Sequence, residues 1–177
     1  MLNRKIYNTL NEWKLSSNKK PLIIKGCRQC GKTFSVMHFA KENYRHVVYI
    51  NFVQTPDYAL AFKDSKMIDD ITMNISAMSA DATFVAGETC IVLDEIQECP
   101  EARTALKFFQ IDGRFDVIAT GSLLGVKGYG QKRDSKASVP VGYETIVNMY
   151  PLDFEEFLWA NGINKQIINK VSECLNE

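Results

Sequence analysis

The chain has 177 residues, 46% apolar and 24% charged, an ordinary globular balance for one domain. Its 21 basic and 21 acidic residues cancel, so no net field recruits nucleic acid or an anionic membrane, and only a local patch could do so. No run of about 18 apolar residues is present to cross a bilayer, and MLNRKIYNTLNEW lacks the apolar core of a secretory signal. Five cysteines, an odd number without an export signal, fit reduced thiols in a cytoplasmic protein.

Leu2, Ile6, Leu10 and Trp13 recur at helical spacing and predict a helix over residues 2–14. SSNKKP then forms a polar turn, and the apolar run 22–24, between Pro21 and Gly26, predicts the first strand. Residues 26–33 fit G-x-x-x-x-G-K-[ST], the phosphate-binding loop that joins a strand to a helix. Glycines let such a loop wrap closely around phosphate, while successive backbone N–H groups and the helix start aim partial positive charge inward. Lys32 can reach the β- and γ-phosphates, and the Thr33 hydroxyl can ligate Mg2+. The nucleotide-binding stretch is therefore Gly26, Cys27, Arg28, Gln29, Cys30, Gly31, Lys32, Thr33 and Phe34. Cys27 and Cys30 form a C-x-x-C inside the loop, without a second C-x-x-C or H-x-x-x-H, and zinc there would block the nucleotide. They are read as loop residues whose oxidation would distort the cradle.

The helix after the loop ends near Asn43, and HVVYINF (46–52) predicts a second strand. A helix over 65–79 places Ile68, Ile71, Ile75 and Met78 on one face, with Met67, Met73 and Met78 read as core filler rather than a soft-metal site. CIVLDEIQ (90–97) predicts the third strand, and Pro100 opens a helix that Asp112 and Gly113 stop. FDVIATGS (115–122) predicts the fourth strand, a glycine- and lysine-rich stretch follows, and TIVNMYPL (145–152) predicts the fifth. Asp153 and Glu156 form a capping box for a final helix with Phe154, Phe157 and Leu158 facing inward; residues 163–177 are weakly helical. Continuous apolar strands alternating with helices imply a parallel sheet covered on both faces.

Asp94 falls at the carboxyl end of its strand, where open α/β sheets bind ligands, and can hold Mg2+ beside Thr33. Glu95 can orient and polarise an attacking water, a role worth roughly 10²–10⁴ in rate. Thr120 and Ser122 end the neighbouring strand; either hydroxyl could reach the γ-phosphate or the water, and the sequence does not separate them.

KPLIIKG-x-RQ-x-GKT, AGETCIVLDEIQ, ATGS and YPLDFEEFL together resemble the AAA+ ATPases, and more narrowly a bacterial and archaeal group whose ATPase core precedes a C-terminal domain of unknown function. The resemblance covers about residues 1–160. It implies a P-loop NTPase fold of three αβα layers on a five-stranded parallel sheet in the order 5-1-4-3-2. It also implies ATP and Mg2+ as ligands, and oligomeric or partner-coupled action. On this pattern Lys32, Thr33, Asp94 and Glu95 match the two Walker motifs, and Thr120 or Ser122 falls on the sensor strand. The core is expected over residues 1–162, with 163–177 beginning a helical lid and C-terminal region that the family carries beyond this fragment.

Arg133 lies in the region of an arginine finger, although a solvated charge in KRDSK is the favoured reading. Lys127, Lys132, Arg133 and Lys136 with Tyr129 are few cations for nucleic acid, which is disfavoured as a partner. The expected function is an ATP-binding, Mg2+-dependent ATPase module; the alternative is a nucleotide-dependent switch with little turnover that controls an attached domain or partner. A kinase is disfavoured by the Glu directly after Asp94, and a GTPase by the lack of N-K-x-D.

Overall fold

Five short runs of apolar residues become the strands of one sheet: β1 (Leu22–Lys25), β2 (His46–Asn51), β3 (Thr89–Asp94), β4 (Asp116–Gly121) and β5 (Thr145–Asn148). The computed structural model describes residues 2–122 and 142–163, together with 166, 167 and 170. Every strand pairing is parallel, in the order β2-β3-β4-β1-β5, which is the expected 5-1-4-3-2 read from the other edge. Parallel neighbours put all five carboxyl ends on one side of the molecule.

Helices α1 (Ile6–Leu15), α2 (Lys32–Asn43), α3 (Ile68–Met78), α4 (Pro100–Asp112) and α5 (Phe154–Ala160) accompany the sheet. Successive side chains of a strand point to opposite faces. Thus Leu22 and Ile24 join α1 and α2 in one core with Leu10, Trp13, Val36 and Phe39, while Ile23 joins the other. There it packs with Ile71 and Ile75 of α3 and Leu106 and Phe109 of α4. β3 divides the same way, with Cys90 and Val92 on the α1–α2 side and Ile91 and Leu93 on the α3–α4 side. All six β3 residues are buried, which explains a run without polar alternation. The result is the three-layer αβα arrangement.

Local signals set the helix ends. Pro100 occupies the first turn of α4, where its missing N–H has no helical acceptor to lose, and the Cys99 thiol accepts the N–H of Ala102. In α5 both bonds of the expected capping box are present, between Asp153 and Glu156.

Four readings need correction. Met67 and Met73 are about two-thirds exposed and Met78 is exposed as well, so they do not fill the core. Ile68, Ile71 and Ile75 take the inner face of α3; Met73 follows Ile71 by about 200° around the helix axis, and Met67 precedes the helix. Leu2 lies outside the start of α1 and is exposed, leaving Ile6, Leu10 and Trp13 as the buried stripe. Phe154 and Phe157 also face outward, because the seven-residue α5 turns Glu156 inward instead. Finally, β5 is an edge strand, with three of its four residues exposed rather than covered on both faces. Arg133, the Lys127–Lys136 cations with Tyr129, and Cys174 lie outside the described residues.

Candidate functional site

β1 ends at Lys25, and the chain turns through residues 26–31 before α2 begins at Lys32. Two glycines permit this turn for different reasons. Gly31 adopts φ 91° as the residue before α2, a backbone conformation that side chains disfavour. Gly26 is fixed by crowding, since a Cβ there would fall 2.1 Å from the carbonyl oxygen of Met149. Gln29 is also left-handed, at φ 62°, and with Arg28 and Cys27 it lies exposed at the loop's outer edge.

Lys32 is buried, and its Nζ donates to the carbonyl oxygens of Cys27 at 2.7 Å and Gly26 at 3.0 Å. The ammonium thus sits inside the arc of its own loop. Thr33, one residue further, directs its hydroxyl to Asp94, with Oγ1 3.0 Å from Oδ2 and 3.2 Å from Oδ1. Phe34 points outward, its ring stacked beside His38.

Asp94 at the end of β3 is buried and accepts hydrogen bonds from four side chains. Besides Thr33 these are Tyr49 (2.8 Å), Asn51 (3.0 Å) and Thr120. Burial raises the Tyr49 phenol above its ordinary value, against the bond donated by Asn51 and with the Asp94 carboxylate adding to the rise. Tyr49 therefore remains a protonated donor at neutral pH. Thr120 and Ser122, equivalent in the sequence, separate here: Thr120 is fully buried on Asp94, whereas Ser122 Oγ lies 3.4 Å from Glu95 Oε2.

Glu95 leaves the strand in a left-handed conformation, φ 54°, which turns the chain into a short 3-10 helix, Ile96–Glu98. Gln97 in that turn donates from Nε2 to Glu95 Oε2 at 2.5 Å. The two acids are thus presented differently, Asp94 in a closed cage and Glu95 in a strained turn beside a glutamine.

The structure brings Lys32, Thr33, Asp94, Glu95, Thr120 and Ser122 together at the carboxyl ends of β1, β3 and β4. Sequence reasoning missed Tyr49 and Asn51 of β2, although Asn51 is a polar residue closing an apolar strand. It also missed Gln97 and a brace beneath the loop. Arg4, buried ahead of α1, donates to Cys30 O at 3.0 Å and Tyr150 O at 2.8 Å, and pairs through Nε with Glu156 at 3.1 Å. Only contacts across the fold reveal that role.

A Mg2+ ion suits this donor set. Among the described residues there is no cluster of three His, Cys, Asp or Glu side chains that could hold a metal. Mg2+ asks for less, commonly one or two carboxylates with phosphate oxygens and water, and Thr33 Oγ1 with Asp94 provides such a corner.

A family model described as an AAA domain matches residues 18–158. No curated protein matches the sequence. Among solved structures, the chain is similar to the Aeropyrum pernix ORC2 protein in its ADPNP–ADP complexes, with TM-score 0.51 and 12% identity over 91% of this chain and 50% of that one. The Aeropyrum pernix ORC1 protein in complex with DNA gives TM-score 0.48 and 12% identity over 90% of this chain and 47% of that one. The chain thus spans about half the length of these neighbours. At such identity the ORC2 likeness is one of fold. The disfavouring of nucleic acid as a partner draws no support from these comparisons. Among the described residues, no helix is long and apolar enough to cross a membrane.

Proposed function

The chain belongs to the AAA domain family, and from that premise we propose that it is an ATP-binding, Mg2+-dependent ATPase module acting within or alongside a larger assembly. The observation that carries this reading is the meeting of Thr33 Oγ1 with the Asp94 carboxylate directly beside the 26–31 loop. A hydroxyl at the start of a helix and an acid at a strand end, drawn from sequence positions 61 residues apart, meet at the end of the loop.

In this reading the backbone of residues 26–33 holds the phosphates, with Phe34 at the margin. Lys32 exchanges its bonds to Gly26 O and Cys27 O for phosphate oxygens. Thr33 and Asp94 would hold Mg2+, which when bound neutralises phosphate charge. Tyr49, Asn51 and Thr120 keep the Asp94 carboxylate oriented. Glu95 accepts a proton from the attacking water, with Ser122 beside it.

The test is a pair of substitutions read by two assays. Lys32→Ala is expected to abolish ATP binding. Glu95→Gln is expected to retain binding and lower phosphate release by about 10²-fold or more; release at the parent rate would remove the water-activating role from Glu95.

One contact favours a second reading, a nucleotide-dependent switch with slow turnover. Gln97 already occupies Glu95 Oε2 at 2.5 Å, and that donor competes with the attacking water for the same carboxylate oxygen. Gln97→Leu is then expected to speed phosphate release severalfold in single-turnover measurements. An unchanged rate counts against the restraint.

A further inference from the structure

We propose that Cys27 and Cys30 form a reversible disulfide, an oxidative modification site within the phosphate loop that switches nucleotide binding off. The proposal rests on the reading of residues 26–33 as a nucleoside-triphosphate cradle. Four observations place the two thiols for this chemistry. Cys27 is exposed and Cys30, three residues on, is buried. Arg28 and Gln29 form a tight turn, with Gln29 left-handed at φ 62°, so Cys27 and Cys30 are its first and fourth residues, with Cα atoms less than about 7 Å apart, inside the range a disulfide spans. Cys30 Sγ faces Met149 O at 3.7 Å and lies 4.0 Å from Lys32 Nζ. Lys32 Nζ in turn binds the Cys27 carbonyl at 2.7 Å, and Arg4 holds the Cys30 carbonyl at 3.0 Å.

The geometry separates the roles of the sulfurs. Cys27 meets solvent and takes the first step: its thiolate attacks one oxygen of a hydroperoxide, an S–O bond forms, the O–O bond breaks, and the other oxygen leaves with a proton as water or alcohol. Burial raises the Cys30 thiol above its ordinary range, with the Lys32 ammonium opposing the rise, so Cys30 stays protonated and unreacted until the sulfenic acid stands beside it. Cys30 sulfur then attacks Cys27 sulfur, the S–O bond breaks, and the Cys30 proton leaves with the hydroxyl as water. The two sulfurs lose two electrons and the peroxide gains them. An external dithiol reverses the step by thiol–disulfide exchange.

The consequence follows from what these residues touch. Drawing Cys30 Sγ toward Cys27 removes it from Met149 O and shifts both carbonyls to which Lys32 and Arg4 are anchored. The loop backbone and the Lys32 ammonium bonded to it move with them. Cys90 and Cys99 are fully buried and shielded from such an oxidant.

The test treats the full chain with hydrogen peroxide and follows linked peptides by mass spectrometry and binding of a fluorescent ATP analogue. The parent is expected to yield a peptide linked between Cys27 and Cys30. Its affinity should fall about tenfold or more, a change of at least 1.4 kcal/mol, and return with dithiothreitol. Cys27→Ser and Cys30→Ser are each compared with their own untreated samples and are expected to show no dithiothreitol-reversible loss. Three results overturn the switch: no linked peptide, a linked peptide with unchanged affinity, or an equal reversible loss in Cys27→Ser. Reduced parent protein that fails to bind the analogue overturns the nucleotide reading and the switch with it; reduced protein that binds but never links overturns the disulfide alone.

Discussion

Asp94 shows how much of the site is decided by individual polar atoms. Its carboxylate is buried among donors from α2, β2 and β4, and a buried charge is tolerated only when such donors replace water. Thr120→Val preserves shape but removes one donor from a fully buried position. It is expected to cost about 1–3 kcal/mol of stability in a denaturant titration. Asn51→Ala should weaken Mg2+-dependent nucleotide binding more than Mg2+-free binding, because its bond to Oδ2 orients the carboxylate. Equal weakening under both conditions would assign Asn51 to the fold alone, through the N–H groups of Val53 and Gln54 that its Oδ1 accepts. At Gly26 the limit is space: Gly26→Ala places a methyl group 2.1 Å from Met149 O, so the loop or β5 must move. Loss of nucleotide binding is expected even where circular dichroism shows a folded protein.

Among elements, α5 makes the least of its apolar residues and the most of its polar ones. Glu156 faces inward to Arg4 and to the N–H of Lys5 at 2.7 Å, while Asp153 receives the Glu156 N–H at 2.8 Å and the Lys5 ammonium at 2.6 Å. The Glu156 N–H, and after it Lys5, holds the Asp153 carboxyl below its ordinary 3.8. A depressed carboxyl contributes stability that is present above the unfolded value and lost as pH falls through the folded one. The parent should therefore lose more thermal stability than Asp153→Asn between about pH 5 and about pH 3; equal losses would remove the cap from the account. The cap was legible because its two partners are neighbours in sequence. The outward Phe154 and Phe157 were not, because the inward place is taken by an acid whose basic partner, Arg4, lies 152 positions away. Likewise the apolar periods gave α1 to α4 and β1 to β4, whose faces are set by local spacing. They misjudged β5, since position at the sheet edge is a property of strand order. The two acids and the loop were readable as local patterns, whereas Tyr49, Asn51 and Gln97 acquired their partners only through strand pairing and a left-handed turn at Glu95.

At the scale of the whole molecule, two cores share one sheet. β1, β3 and β4 each send alternate side chains to opposite faces, so neither layer of helices can leave without exposing strands that the other covers. Phe109 of α4 and Trp13 of α1 lie in different cores, both buried. Truncating Phe109 to Ala should cost about 3–5 kcal/mol. For a chain of this length that corresponds to a fall in Tm of about 6–20 °C. The Trp13 indole, whose Nε1 donates to Lys20 O at 2.7 Å, is a reporter on the far side of the sheet. In a Trp159→Phe background, leaving Trp13 as the single tryptophan, its fluorescence transition should fall with the far-ultraviolet circular dichroism transition and by the same amount. A Trp13 transition that stays in place while the circular dichroism midpoint drops would mean that the helical layers unfold separately. The sheet would then fail to couple the α1–α2 face beneath the phosphate loop to the α3–α4 face behind Asp94.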